Sequence, residues 1–196
     1  MSLLRRVQAE PGHDDWDEVL RYYEPFIRRV LARFGVDADH RDDVTQAALS
    51  RLWTELSQYR REEGRAKFRT WLVRLVRNVA IDDYRGRRHE RRTERFDDVR
   101  CEHLLAPPPE LELKIEDEWK RHLAEVALDR MDEIFSGAAI EVFLLSGEGK
   151  SPREISEHLK IGVDSVYVLK SRVKRRMIQE IATLRRTLEG AAGRHG

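Results

Sequence analysis

Along this chain apolar side chains recur every three or four residues, and no stretch keeps a period of two. With few Gly or Pro and no sustained β-branched run, the pattern predicts an all-α protein made of two small helical domains. Residues 1–13 show no periodicity and are expected to fray. Over residues 15–34, Trp16, Leu20, Tyr23, Ile27, Val30, Leu31 and Phe34 mark a first helix, with Asp14 or Asp15 placed to cap it. Pro25 falls inside that pattern and predicts a kink or a division into two pieces. Gly35 ends the helix, because glycine takes the left-handed conformation at little cost. A second helix spans about 39–58, with an acidic opening that suits the positive end of a helix dipole. Val44, Ala48, Leu52 and Leu56 face its core. Asp43, Gln46, Leu49, Ser50 and Trp53 lie off that stripe, so Trp53 is either the edge of the core or a contact patch for a partner.

The most informative stretch is basic, residues 67–92. Phe68, Trp71, Leu72, Leu75, Val76 and Val79 share one helical face, while Arg74, Arg77, Arg85, Arg88 and Arg92 gather on roughly the opposite one. Asn78 lies on the border beside Trp71. An arginine stripe edged by an aromatic ring and an amide suits a nucleic-acid backbone with exposed bases. A solvated helix face would also read this way, so the stretch decides nothing alone. After it, Pro107, Pro108 and Pro109 favour an extended chain and set a linker at 96–113 between domains at 14–95 and 114–190.

In the second domain Ile115, Trp119, Leu123, Val126 and Leu128 suggest one helix, and residues 134–145 another. Ser151, Pro152 and Glu154 then form a helix start of the capping-box kind. The short helix buries Ile155 and Leu159, with small Ser156 between them for a close approach. Residues 160–163 turn, and the next helix buries Val166, Leu169, Val173 and Met177. This is a helix-turn-helix pattern. Ser165, Val168, Ser171, Arg172 and Arg175 fall away from the buried stripe, flanked by Lys174 and Arg176, as side chains able to reach bases or phosphates. Lys160 stands where many such motifs have Gly; in the left-handed conformation it costs about 1 kcal/mol.

Charge changes the picture by its distribution. The net charge is only +1. Residues 60–95 nevertheless hold 13 Lys/Arg against 6 Asp/Glu, and residues 97–118 hold 8 Asp/Glu against 2 Lys/Arg. Opposed blocks point to a polyanion-binding surface and a segment outside it. One cysteine, Cys101, rules out an internal disulfide and a cysteine-based zinc cluster, so neither metal nor cofactor is expected. No apolar run is long enough for a signal peptide or a membrane span, and a cytoplasmic location is expected.

Taken together, these pieces resemble bacterial RNA polymerase sigma factors of the extracytoplasmic-function group. Region two is carried by Asp43-Val44-Thr45-Gln46 with Leu49 and Trp53, then Phe68-Arg69-Thr70-Trp71-Leu72, Arg77-Asn78 and residues 82–88. Region four is carried by Glu141-Val142-Phe143-Leu144-Leu145 and the helix-turn-helix. The resemblance implies no catalysis, with core RNA polymerase and promoter DNA as partners; an anti-sigma factor is a further partner it allows. It places polymerase docking on Asp43, Gln46, Leu49, Ser50 and Trp53. It places minus-ten recognition and melting on Arg65, Lys67, Trp71, Arg77 and Asn78, with Arg85, Arg87 and Arg88 on the backbone, and minus-thirty-five recognition on the helix-turn-helix. The chain departs from the family pattern at Ala47, where an acidic residue is common, and at Phe135-Ser136-Gly137, where a proline-containing turn is usual. The alternative from another class is a free-standing helix-turn-helix regulator. Its ligand or receiver domain has no counterpart in residues 1–110. An enzyme acting on nucleic acid lacks a Gly-rich phosphate loop or a nucleophile–base pair, and Asp82-Asp83 alone are weak.

Overall fold

A computed structural model describes residues 2–9, 12–59, 68–90, 109–135 and 137–189. Its described residues form eight α-helices and no strand: α1 (Leu3–Ala9), α2 (His13–Arg33), α3 (Ala38–Glu55), α4 (Phe68–Glu90), α5 (Pro109–Ile134), α6 (Ala138–Gly147), α7 (Pro152–Leu159) and α8 (Val163–Glu189). A single 3-10 turn, Leu56–Gln58, follows α3. The chain divides into two compact units, residues 1–122 with 187–196, and residues 123–186.

In the first unit, α2, α3 and α4 enclose a core of Tyr23, Phe26, Ile27, Leu31, Leu52 and Leu72, all fully buried. The N-terminal stretch departs from expectation: α1 is a helix whose Leu3, Leu4 and Val7 are buried. Seven residues are too few to show a helical period, and tertiary contacts stabilise the helix instead. Arg6 pairs with Asp15 at 2.8 Å and with Glu18. The Gln8 amide donates to the carbonyls of Leu56 (2.8 Å) and Tyr59 (2.6 Å). Asp15 is thus drawn to Arg6, and α2 starts after Gly12 with no side-chain cap. Pro25 neither splits α2 nor ends it. Pro25 and Arg21 are both exposed, so water can meet the carbonyl that Pro25 leaves without its helical partner. Gly35 ends the helix as read, at φ 80°.

The boundary between the units also falls elsewhere than the prolines suggested. Helix α5 begins at Pro109, five residues inside the expected linker, because proline is well suited to a first helical turn. Its residues up to His122 belong to the first unit rather than the second. Trp119 is 1% exposed, stacked on Tyr23 at 5.9 Å and edge-on to Phe26 at 4.9 Å. Next to it, buried Glu118 accepts from Arg33 Nε at 2.9 Å and from Arg121 at 2.8 Å. Glu116 pairs with Arg69, whose guanidinium lies 5.8 Å from the Trp119 ring centre.

In the second unit Val142, Ile155 and Val166 form a buried centre, with Leu145, Leu159, Ile161 and Leu169 packed around it. Ile134 closes α5 instead of opening α6, and Gly137 separates the two helices.

Candidate nucleic-acid interface

Helix α3 presents Asp43, Gln46 and Ser50 to solvent beside Trp53, which is 46% exposed. Trp53 stands edge-on to Trp16 of α2, with ring centroids 4.7 Å apart. It is therefore both core edge and open surface. Leu49 differs from expectation: it is 4% exposed and belongs to the core. At about 100° per residue it lies one residue from Ala48 and three from Leu52, within a stripe wider than the four residues first assigned to it.

Helix α4 carries the basic surface. Arg74, Asn78 and Arg85 are exposed, while Arg77 is half-buried. Arg87 pairs with Asp83 one turn earlier on the same helix. Arg65 and Lys67 lie outside the described residues, as does the side chain of Arg88. Trp71 is half-buried, and its ring sits 5.2 Å from Tyr59 and 5.4 Å from Phe68. Phe68 in turn meets Tyr23 at 5.2 Å, so one line of rings runs from Trp71 through Phe68 and Tyr23 to Trp119. Such backing makes Trp71 a stiff wall rather than a swinging side chain. Asn78 is two turns along the helix, about 10 Å of rise. Across the surface Arg51 of α3 reaches Asp82 of α4 at 3.1 Å, which fixes the two helices to each other.

In the second unit a short turn joins α7 to α8. Ser151 caps α7: its hydroxyl accepts from the Glu154 N–H at 3.3 Å, and its own N–H donates to the Glu154 carboxylate at 2.8 Å. Hydrogen bonding of the Glu154 carboxylate by Ser151, from its side chain first and then from its backbone N–H, holds that carboxyl below its ordinary value. Lys160 does take the left-handed conformation, at φ 54° and ψ 41°. The Ile161 N–H reaches back to the Ser156 carbonyl at 3.2 Å, and the Ser156 hydroxyl donates to the Ile161 carbonyl at 2.6 Å. Ser156 therefore closes the turn; the sequence had suggested only that it made room. On α8, Val166 and Val173 are fully buried, with Leu169 and Met177 half-buried behind them. Ser165, Val168, Ser171, Arg172, Lys174 and Arg175 are all exposed.

Tyr167 escaped the sequence reading. It is 56% exposed beside Val168 at 65%, so a phenol and an isopropyl group share the outward face. Angular arithmetic could have found it, since Tyr167 lies roughly 100° or more around the helix from each of Val166, Leu169 and Val173. This face can offer hydrogen bonds and apolar contact to base edges, with cations along its rim. Among the described residues, no helix is long and apolar enough to cross a membrane.

Residues 19–90 match the family model described as Sigma-70 region 2. No curated protein matches the chain. Among solved structures, one titled as CnrH in complex with the cytosolic domain of CnrY aligns over 92% of this chain and 96% of that one. Their identity is 17% and the TM-score 0.35, too loose a superposition to carry a structural argument. Over the residues that form its exposed tryptophan edge and its basic helix, the first unit of this chain is similar to region 2 of the sigma-70 family.

Proposed function

We propose that this protein is a sigma factor of the extracytoplasmic-function kind, which binds core RNA polymerase and directs promoter-specific initiation of transcription. The observation that carries this reading is the region 2 match over residues 19–90, the span that holds both Trp53 and α4. In this reading Asp43, Gln46, Ser50 and Trp53 form the polymerase-docking surface, with Leu49 supporting it from the core. Trp71 and Asn78 receive an unstacked base of the minus-ten element, and Arg65, Lys67, Arg77, Arg85, Arg87 and Arg88 hold the neighbouring phosphates. A base taken out of the stack needs an aromatic wall and an amide edge, and separated strands need positive charge alongside. The exposed face of α8, with Ser165, Val168, Ser171, Arg172, Lys174 and Arg175, reads the minus-thirty-five element. An anti-sigma factor is a further partner under this reading.

The test is binding of the full chain to purified core polymerase. A stoichiometric complex that competes with another sigma factor supports the reading. Absence of a complex, with sequence-specific duplex binding by the chain alone, would make it a free-standing regulator.

A further inference from the structure

At the end of α5 the backbone fixes one aromatic residue firmly. The Phe135 N–H donates to the Met131 carbonyl at 2.8 Å. Two residues on, Gly137 takes φ 69° and ψ −139°, backbone that is in practice open only to glycine, and α6 begins. The half-buried Phe135 ring is met by α8: the Arg172 guanidinium carbon lies 5.4 Å from the ring centre, within cation–π range. Arg172 is otherwise exposed, roughly 90° around α8 from the middle of its outward face.

We propose that Phe135 is a positioning residue for DNA recognition, holding Arg172 at the rim of α8 for a phosphate contact rather than a base contact. The inference rests on the reading of α8 as the DNA-facing helix. A guanidinium whose carbon lies over a ring still has N–H groups directed away from that ring, and those groups can match a phosphate bidentately. A free arginine must give up rotamer freedom to make that contact. One already settled on a ring gives up less, so the ring raises affinity without touching DNA. Rim placement leaves base reading to Tyr167, Val168, Ser171 and Arg175.

The test measures affinity and its salt dependence, using the full chain with core polymerase and a promoter duplex selected by that complex. Arg172→Ala should reduce the salt slope by about one phosphate contact. Phe135→Leu should weaken binding about two- to five-fold with the slope unchanged, the range expected for an exposed cation–π contact. Phe135→Tyr should restore wild-type affinity, and Arg172→Lys should behave like Phe135→Leu. In an Arg172→Ala background, Phe135→Leu should have no further effect. The proposal is overturned if Phe135→Leu binds as wild type while Arg172→Ala is weakened. It is equally overturned if Phe135→Leu weakens both backgrounds alike, because Phe135 would then act through packing. If neither Arg172→Ala nor Arg175→Ala changes affinity or slope, α8 is not at the DNA, and the underlying reading fails with the proposal.

Discussion

Trp16 meets Trp53 edge to face, with ring centroids 4.7 Å apart and planes 73° from parallel, yet 46% of Trp53 stays open to solvent. The contact pins an aromatic side chain upright on the α3 surface next to Gln46 and Ser50. Edge-to-face pairing and partial burial together contribute about 1–2 kcal/mol. Trp53→Ala should therefore keep its helical signal and lose only that much stability, since Val44, Leu52 and Leu56 stay buried. Its capture of core polymerase should be abolished. Cooperative unfolding at room temperature would show instead that Trp53 serves the core alone.

In the proposed reading Asn78 acts at a different step. A base held between Trp71 and Asn78 must first leave the duplex, at a cost of a few kcal/mol. Asn78→Ala should leave closed complexes nearly intact and reduce permanganate-reactive DNA at the minus-ten position. A pre-melted template should restore transcription at least in part. Wild-type opening by Asn78→Ala across several promoters would remove the amide from the site.

Glu118 makes the first unit sensitive to acid. Burial by itself would raise its carboxyl pKa, but the hydrogen bonds from Arg33 and Arg121 outweigh burial and hold it below the ordinary 4.5. A carboxyl depressed in the fold stabilises at pH above its unfolded value, and that contribution is lost as pH falls through the folded one. Glu118→Gln should cost about 1–3 kcal/mol at neutral pH, a range kept low because both arginines are partly exposed. Denaturant midpoints of variant and wild type should converge below pH 4.5. A gap that stays constant through the acid range would show that the charge of Glu118 contributes nothing.

Lys160 sits at φ 54° in the turn between α7 and α8. Glycine accepts that conformation without the Cβ penalty, although it gains freedom in the unfolded chain. Lys160→Gly should raise the stability of the second unit by about 0.5–1 kcal/mol in chemical denaturation, and its DNA affinity should hold. Destabilisation would mean that the lysine side chain supports the turn.

Much of this was legible in the sequence because local rules sufficed. The Ser151–Glu154 capping box, the left-handed Gly35 and the stripe of Val166 and Val173 each follow from a few adjacent residues. Leu49 was missed for a geometric reason, since a four-residue stripe underestimates how wide a packed helix face is; Tyr167, by contrast, lies off the buried stripe by angle and was simply passed over. Helix α1, and the place of the first half of α5 in the first unit, were missed for a tertiary one. Leu3, Leu4 and Val7 are too few to make a pattern. Trp119 looks like any core tryptophan until Tyr23 and Phe26 are beside it. Nothing local distinguishes a proline that breaks a chain into domains from Pro109, which starts a helix.

Promoter-specific initiation is tested most directly by run-off transcription with core polymerase, this protein and a library of genomic fragments. Discrete transcripts with shared upstream elements should appear only when the protein is added, and they should vanish with Trp53→Ala. Unchanged core-polymerase background at every fragment, despite a folded protein, would contradict the assignment as a sigma factor.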